Sequence, residues 1–398
     1  MPSPLQLSAY TMTSALGAGL APTLDALRQQ RSGVRHMRWE TVELDTCLGE
    51  VAGLDDFRLR EDLAAFDCRN NRLAQLGLEQ DGFVVAVREA MRRHGADRIG
   101  VFLGTSTSGI LSSELAYRQR DADTGAFTVP LDYQHTHNGY SVADFVRSYF
   151  GLTGPAFVVS TACSSSAKVF GNAQRMMDCG LIDAAIVGGI DSLCLTTLYG
   201  FNSLQLVSAR PCRPFDATRD GISIGEAAAY ALVERADQAA PGAIVMSGIG
   251  ESSDAHHMSS PHPEGLGARA AMQQALAMAG LQAAQIDYIN LHGTATPSND
   301  AAEDKAVSAL FGTATPSSST KGHTGHTLGA AGGIEAVICA LALQHGLAPG
   351  GCGTETLDPK LQSRYLLSNL EQPLRHVLSN SFGFGGSNCS MVLSRVEA

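Results

Sequence analysis

Short runs of apolar residues alternate with longer alanine-rich stretches along the whole chain. The short runs are rich in Val, Ile and Leu and are bounded by Gly, Ser or Thr, which is typical of buried strands. They predict strands at 98–105, 156–160, 183–188, 228–234, 244–248, 287–291 and 377–381. The stretches between them predict a helix that reaches Asp178 and further helices at about 267–280 and 298–311. Strands that alternate with helical crossovers indicate an α/β architecture with buried sheets.

The longest apolar stretch, 327–348, is interrupted by Glu335 and His345. Since charged side chains are costly at the centre of a bilayer, this stretch predicts a buried core helix and no membrane span. The first basic residue is Arg28, which argues against a secretory leader. The nine cysteines include no CxxC pair and suggest neither a disulfide framework nor a structural zinc site. We therefore expect a cytoplasmic protein.

Charge and glycine content refine this picture. The net charge is −11, with acidic and basic residues interspersed, so nucleic acid is not an expected partner. The 42 glycines predict many tight turns and closely packed elements. The alternating pattern pauses on Pro and Gly at 237–242, and this seam predicts two halves, 1–239 and 240–398.

A candidate nucleophile follows the predicted strand at 156–160. The segment STACSSS, 160–166, places Cys163 where a strand turns into a helix. We expect Cys163 in the first helical turn, where unpaired backbone amides favour an anion and lower the pKa of a thiol. The alternative is a small buried residue at a helix start.

Two histidines lie in glycine-rich loops. His292 begins HGTATP, 292–297, directly after a predicted strand, and His326 lies within STKGHTGHTLGAAG, 319–332. Histidines in such loops are expected to line a cleft, although a capping or core role is open for either one. A third loop, SNSFGFGGSN at 379–388, also follows a strand. Its glycines let backbone approach a ligand while its two phenylalanines gate access, and it matches no nucleotide-binding motif.

Histidine clusters raise the question of a metal. His323 and His326 have no matching carboxylate or thiolate in their loop, and His256, His257 and His262 lie in a loop with two prolines. Neither cluster resembles a usual set of zinc ligands, so no metal site is predicted.

The four motifs, in this order, resemble those of the elongating β-ketoacyl-acyl-carrier-protein synthases. The resemblance spans nearly the whole chain and is weakest over 1–95. It implies a thiolase-like α/β fold: two similar halves with central mixed sheets layered by helices in the order αβαβα. It also implies decarboxylative Claisen condensation, in which an acyl group on Cys163 is joined to a malonyl unit on acyl carrier protein (ACP). Each cycle extends a fatty-acid, polyketide or polyene chain by two carbons.

The resemblance assigns catalytic roles residue by residue. Cys163 matches the acyl-accepting nucleophile, and His292 and His326 match the two histidines that support malonyl decarboxylation. Lys321 and Glu335 match a lysine and the buried glutamate that neutralises it. Phe384 matches an aromatic gate, whose backbone amide joins that of Cys163 in an oxyanion hole.

The resemblance also implies substrate contacts. Thr294 and Thr296 match residues that hold the phosphopantetheine arm of the carrier, and Phe201 is assigned to the same binding region. Thr107 lies where relatives place acyl-pocket residues. Because the substrates are carried on phosphopantetheine, no separate cofactor is expected.

ACP is the expected partner, and since it is acidic like this chain, a local basic patch must overcome the repulsion. Arg69 and Arg72 match a helix that docks the carrier in relatives, and Arg210 is a further candidate. A solvated helix face is the alternative for the first two. Members of the resembled family associate through their central sheets, so we expect a homodimer or a heterodimer with a ketosynthase-like partner.

Three alternatives share the fold. A thiolase needs a second cysteine in the C-terminal loop, whereas Cys389 lies beyond that loop. An initiating or chalcone-type synthase pairs Cys and His with Asn, and a non-catalytic chain-length subunit lacks the nucleophile. The polar Thr107 and the short stretch at 208–215 hint at a specialised polyene or polyketide-like pathway. A separate alternative is that this chain is the catalytic subunit of a heterodimer with a chain-length partner in aryl polyene-type or other specialised biosynthesis. Primary fatty-acid elongation remains an open alternative.

Overall fold

The computed structural model describes residues 3–237 and 239–397. The predicted seam at 237–242 includes Gln238, which lies outside the described residues, so the boundary between the halves stays a prediction. The strands are β1 (Leu5–Ser14), β2 (Gly17–Ala18), β3 (Arg35–His36), β4 (Cys47–Gly49), β5 (Ile99–Gly104), β6 (Ala156–Val159), β7 (Ala184–Asp191), β8 (Ile224–Gly225), β9 (Ala227–Arg235), β10 (Ile244–Ser253), β11 (Tyr288–Asn290), β12 (Ser317–Ser318), β13 (Leu347–Ala348), β14 (Leu370–Glu371), β15 (His376–Gly383) and β16 (Ser387–Arg395).

The helices carry most of the connections between these strands. They are α1 (Leu20–Arg28), α2 (Arg69–Leu78), α3 (Phe83–His94), α4 (Ile110–Arg118), α5 (Ser141–Phe150), α6 (Ser165–Asp178), α7 (Leu195–Ser203), α8 (Leu266–Ala279), α9 (Pro297–Phe311), α10 (Lys321–Thr324) and α11 (Ala331–His345). Short 3₁₀ turns lie at Glu61–Phe66, Ala283–Gln285 and Leu328–Ala330, and a π-helical turn at Tyr133–His137. Each strand and helix predicted from the apolar pattern is present, with ends shifted by a few residues.

One mixed sheet of 11 strands joins both halves, in the order β12-β11-β15-β16-β10-β1-β9-β7-β5-β6, with β2 paired to β1. Counted outward from the centre of the sheet, the first two pairs of neighbouring strands in each half are antiparallel and the next two pairs are parallel. The halves meet where β1 pairs antiparallel to β10 at Leu5↔Met246 and Gln6↔Val245. The predicted α/β, thiolase-like class with two similar halves is therefore confirmed.

Two buried helices, α6 and α11, pack against strands from both halves of this sheet. Helix α6 packs on β5 and β7, α11 packs on β9 and β15, and the two helices pack on each other. Glycines allow this approach, because a Cβ on Gly104 would lie 2.3 Å from the backbone nitrogen of Ser166, and one on Gly332 would lie 2.7 Å from the Cβ of Ala167. The outer layers are α2, α3 and α5 on the first half, and α8 and α9 on the second.

The apolar stretch at Leu328–His345 is the one segment of the described chain long and apolar enough to cross a bilayer. Within the fold 89% of it is buried, because α11 is surrounded by α6 and by strands of both halves. The expectation of a buried core helix is confirmed, and Glu335, which interrupts the stretch, faces the candidate active site described below.

Candidate active site

The candidate site forms where several strands end at the same edge of the sheet. Cys163 follows β6, His292 follows β11, Lys321 follows β12, and Phe384 follows β15. Because these strands are parallel within each half and the halves share one pattern, their carboxyl ends converge beside α6 and α11. The structure thus brings together residues that lie more than 200 positions apart in the chain.

Cys163 lies on a tight turn between β6 and α6. Ala162 has a φ of 52°, a conformation that is uncommon for residues other than glycine. The turn is held by Ser165, whose Oγ accepts a hydrogen bond from the Thr161 backbone N–H at 2.9 Å. Helix α6 begins at Ser165 with Ser164 as N-cap, so Cys163 precedes the helix. The predicted position in the first helical turn was therefore slightly wrong.

The predicted acidity of the thiol was also wrong. Burial raises the pKa of Cys163 to about 11, and the nearby Lys321 charge and the Phe384 backbone N–H oppose the rise without overcoming it. The side chain is buried, and an anion there loses its hydration. The free thiol is therefore neutral at pH 7, and the adjacent hydrogen-bond donors must stabilise charge as it forms during the reaction.

Hydrogen bonds fix the tautomer of both histidines. Lys321 Nζ donates to His292 Nδ1 at 3.3 Å, and the Leu328 backbone N–H donates to His326 Nδ1 at 3.3 Å. An imidazole that accepts at Nδ1 carries its proton at Nε2. His326 Nε2 lies 3.0 Å from Cys163 Sγ, so this N–H points at the sulfur. The two rings are nearly perpendicular, with centroids 5.4 Å apart.

Both imidazoles are neutral. Burial lowers the pKa of His292 and of His326 well below 6.5, and the Lys321 charge lowers both further. A neutral ring with Nε2–H is a hydrogen-bond donor that can stabilise a developing oxyanion. The site therefore offers two such donors beside the thiol.

Lys321 lies in a buried ion pair. Its Nζ is 2.5 Å from Glu335 Oε1, and both side chains are fully enclosed. Burial raises the pKa of Glu335, and the Lys321 charge opposes that rise. The glutamate on α11 thus fixes the ammonium group against His292.

A cleft opens onto these groups. Its walls include Thr294, Thr296 and Phe201, and its mouth includes Phe384 and the backbone of the glycines that follow it. The rings of Phe201 and Phe384 lie 5.4 Å apart, so the two aromatic side chains meet across the cleft. The threonine hydroxyls are 2.9 Å apart and form a polar strip on an otherwise largely apolar wall.

Two carboxylates that the sequence interpretation missed organise the His292 loop. Glu303 accepts from the backbone N–H groups of His292 at 2.8 Å and Gly293 at 2.7 Å, and Asp300 accepts from that of Thr294 at 3.0 Å. Burial raises the pKa of Glu303 to about 7. The signal was their spacing of three residues on α9, which places both side chains on one face of the helix.

Thr107 does not line the cleft. It is buried, and its hydroxyl donates to the Asp191 carboxylate at 2.8 Å. The predicted substrate contact is corrected, because the polar atom that suggested it is satisfied within the protein. The polarity of Thr107 therefore carries no information about the acyl chain.

Arg69 is not available for docking a carrier. Its side chain is 6% exposed, and its guanidinium makes a bidentate pair with Glu226 at 2.6 and 2.9 Å. It also contacts Asp55 at 2.5 Å. The docking role predicted for Arg69 is therefore wrong, since its guanidinium is buried and already paired with carboxylates of the same chain.

The other two arginines remain candidates for docking. Arg72 is a quarter exposed and pairs with Asp67, its Nε lying 2.5 Å from Oδ1. Arg210 is well exposed, has a looser contact with Asp220 at 3.5 Å, and follows Leu206 of the cleft wall by four residues. Arg210 therefore offers the freer charge.

The donor geometry argues against a metal at the site. Within the part of the chain that the structure describes, the one group of three possible ligands is Cys163, His292 and His326, whose ligand atoms lie within 4.8 Å of one another. Both imidazoles, however, are held with protons on the Nε2 atoms, whereas a metal needs the lone pair there. The His256 and His262 ring centroids lie 5.1 Å apart, and no third ligand joins them among the residues that the structure describes. Absence of a metal thus stays a prediction with a physical reason.

Cys389 lies on β16 among the residues of the hydrophobic core. Its thiol is fully buried away from the cleft, so it does not supply the second cysteine that a thiolase requires. The site combines Cys with two histidines instead.

Comparison with known proteins gives the class. The model of the N-terminal domain of β-ketoacyl synthases matches residues 7–239, and that of the C-terminal domain matches residues 243–355. The chain belongs to the β-ketoacyl synthase family. Its reaction is accordingly that of a β-ketoacyl-ACP synthase, an acyltransferase that forms carbon–carbon bonds, and substrates of this family are carried on ACP phosphopantetheine.

Individual relatives are similar over most of their length. The mitochondrial 3-oxoacyl-[acyl-carrier-protein] synthase of Arabidopsis thaliana is 35% identical over 75% of this chain and 69% of its own. The 3-oxoacyl-[acyl-carrier-protein] synthase 2 of Staphylococcus aureus is 34% identical over 79% of this chain and 81% of its own. Among solved structures, the ketosynthase ApeO, in complex with its chain length factor ApeC from Xenorhabdus doucetiae, has a TM-score of 0.89. It is 39% identical to this chain, covering 99% of this chain and 98% of that one.

Proposed function

We propose that this chain is the catalytic ketosynthase subunit of a specialised, polyene- or polyketide-forming system, and that it pairs with a ketosynthase-like chain-length partner. The observation that carries the catalytic part is the arrangement of a thiol beside two imidazoles, both fixed as Nε2–H donors. A non-catalytic subunit has no use for such a set. The similarity to ApeO, which is seen in complex with a chain length factor, supports the pairing.

The first half-reaction transfers an acyl group from ACP phosphopantetheine to Cys163. The sulfur attacks the thioester carbonyl, the bond to the pantetheine sulfur breaks, and the thiol proton leaves with that sulfur. Because burial holds the Cys163 pKa near 11, the Lys321 charge and the Phe384 N–H, which both lower that pKa, stabilise negative charge on the sulfur, and the His326 Nε2–H adds to this without being required. The tetrahedral oxyanion is stabilised by the backbone N–H groups of Cys163 and Phe384.

The second half-reaction uses both histidines. Malonyl-ACP places its thioester oxygen between the two Nε2–H groups, carbon dioxide leaves, and the electron pair becomes an enolate. The enolate carbon then attacks the acyl carbonyl on Cys163, and the Cys163 sulfur is expelled as a thiolate that takes up a proton from water. A β-ketoacyl-ACP two carbons longer is released. Neutral imidazoles suit this role, since they donate to the enolate without needing to be ionised.

Thr294 and Thr296 provide the polar strip along which the amides of the pantetheine arm bind, and Phe201 with Phe384 closes over the apolar part. The carrier itself docks near the mouth, where Arg210 supplies an exposed positive charge. We further propose that the protein acts in the cytoplasm, where ACP substrates are available.

The sheet edge at β6 suits the partner. β6 ends the sheet, and its four residues, Ala156-Phe157-Val158-Val159, are half-buried. An apolar edge strand with unpaired backbone groups can be extended by a strand from another chain. A ketosynthase-like partner has an equivalent edge, so the two sheets become continuous.

Two measurements test the proposal. Intact-protein and peptide mass spectrometry should find acyl groups from acyl-ACP on Cys163 alone, and Cys163→Ala should abolish labelling while some malonyl decarboxylation persists. Labelling that survives in Cys163→Ala contradicts the nucleophile. Light scattering should show a complex when a ketosynthase-like partner is co-expressed. A stable homodimer that condenses at full rate without that partner contradicts the heterodimer.

A further inference from the structure

Asp191 is a buried carboxylate outside the catalytic set. It is the last residue of β7, has no exposed surface, and pairs with no Lys or Arg side chain in the described part of the chain. A buried charge without a counter-ion is costly unless hydrogen-bond donors surround it. The donors around Asp191 therefore show what it holds in place.

Those donors come from two loops. From the loop after β5, Oδ1 accepts hydrogen bonds from the Thr105 hydroxyl at 2.6 Å, the Thr107 hydroxyl at 2.8 Å and the Thr107 N–H at 2.9 Å. The Ser106 N–H reaches Oδ1 at 2.8 Å and Oδ2 at 3.0 Å. From the loop that follows His326, the Gly329 N–H donates to Oδ2 at 2.5 Å. Asp191 thus joins the end of β5 to the loop preceding α11.

The Gly329 peptide directly follows a strained residue. Leu328 has a φ of 52°, which is rare for a branched side chain and persists where surrounding contacts enforce it. The Leu328 N–H, on the other side of the same Cα from the Gly329 peptide, donates to His326 Nδ1 at 3.3 Å. Gly329 itself is confined, because a Cβ there would lie 2.7 Å from Asp191 Oδ2 and 2.8 Å from the Ser106 nitrogen.

We infer that Asp191 is a positioning residue of the condensation site: by holding the Gly329 peptide it keeps the Leu328 N–H on His326 Nδ1, and thereby keeps His326 in its Nε2–H form. The inference rests on the proposed role of His326 as a donor to the enolate. Asp191 touches neither the substrate nor the thiol. Its charge also contributes to the raised pKa of Cys163, but its effect on His326 is exerted through the loop.

Loss of this anchor has a specific consequence. When the Leu328 N–H turns away, His326 gains access to the tautomer with its proton on Nδ1. The Nε2 lone pair then faces the enolate oxygen and repels it, so decarboxylation slows. Acyl transfer depends also on the Phe384 N–H and is affected less.

Two variants separate positioning from charge. Asp191→Asn has the same shape but loses the negative charge and places an amide N–H against the donors. Gly329→Ala keeps the charge but displaces the same peptide, because the added Cβ would clash with Asp191 and Ser106. Thr105→Val is the matched control, because it removes one bond to Oδ1 and the bond from the Ser108 N–H to the Thr105 hydroxyl, and leaves the Gly329 bond intact.

We expect Asp191→Asn and Gly329→Ala to reduce carbon dioxide release from malonyl-ACP about tenfold to a hundredfold, the range for losing a hydrogen bond to a charged group. Single-turnover acylation of Cys163 should change by less than about threefold. General destabilisation would lower both rates together, so this difference between the two half-reactions indicates a positioning role. Thr105→Val should decarboxylate near the wild-type rate. Thermal unfolding checks that each variant is folded.

The ¹⁵N resonances of labelled histidine side chains report the tautomer directly. Wild type should show His326 as the Nε2–H form, and its signal is assigned by its absence in His326→Ala. Both variants should show mainly the Nδ1–H form, because a tenfold or larger loss of rate requires the Nε2–H form to be a minor fraction. The inference is overturned if either folded variant keeps the Nε2–H form, whatever its rate, or if it decarboxylates at the wild-type rate. If His326→Ala itself decarboxylates normally, the proposed function fails instead, so the two failures are distinguishable.

Discussion

Removal of His292 is the sharpest test of the division of labour within the site. His292→Ala deletes one Nε2–H donor from a buried site, while the contact between His326 and Cys163 at 3.0 Å is untouched. Loss of one preorganised donor to a developing oxyanion costs about 2.7–4 kcal/mol, or roughly 10²–10³ in rate. We therefore expect carbon dioxide release from malonyl-ACP to fall by about that factor.

Acylation of Cys163 by acyl-ACP should remain within about tenfold of wild type in the same variant, because its stabilising donors are intact. His292→Gln is the matched control. A glutamine amide offers an oxygen to Lys321, which now donates to Nδ1, and an N–H in place of Nε2–H. It should recover most of the lost decarboxylation, whereas a group that acted as a base would not be replaced by an amide.

The assay measures both half-reactions on one preparation. Quenched-flow mass spectrometry gives the rate of acylation, and release of labelled carbon dioxide gives the rate of decarboxylation. Thermal unfolding shows whether each variant is folded. The reasoning is refuted if His292→Ala fails to acylate yet decarboxylates normally, or if it loses nothing in either reaction.

Three further predictions concern other charged groups. The alkylation rate of Cys163 should rise with pH with a midpoint at about pH 11, because burial disfavours the thiolate. Lys321→Met should move this midpoint higher, because the Lys321 charge favours the thiolate, and a midpoint below pH 8 contradicts the burial argument. Arg210→Glu should weaken the use of ACP-bound substrates, less so at high salt, and spare a pantetheine thioester; equal loss with both points to misfolding. Arg69→Ala should lower the unfolding free energy by about 3–5 kcal/mol, because it leaves the buried Glu226 carboxylate unpaired, whereas Arg72→Ala should lower it by under about 1 kcal/mol. Similar denaturation midpoints for the two variants contradict this prediction.

The alternation of apolar strands with alanine-rich helices determined the α/β class, because buried sheets need continuous apolar strands and helices to cover them. The motifs around Cys163, His292, His326 and Phe384 could be recognised because catalysis demands particular residue types in particular loops. The buried pair of Lys321 and Glu335 was likewise expected from the resemblance. Each of these features is a short motif in the sequence, or a pattern of short segments that repeats along the chain.

Tertiary structure decided what depends on surroundings. In the sequence, Arg69 resembles a surface cation beside Arg72 on one helix. The packing of α2 against Glu226 shows instead that its charge is buried in an ion pair. The helix start at Cys163 suggested an acidic thiol, but burial from several elements at once outweighs it. Asp191 gave no signal, since its donors come from loops more than 80 and 130 residues away. Burial, pKa and tautomer are sums over neighbours in space, and the order of residues along a chain does not contain them directly.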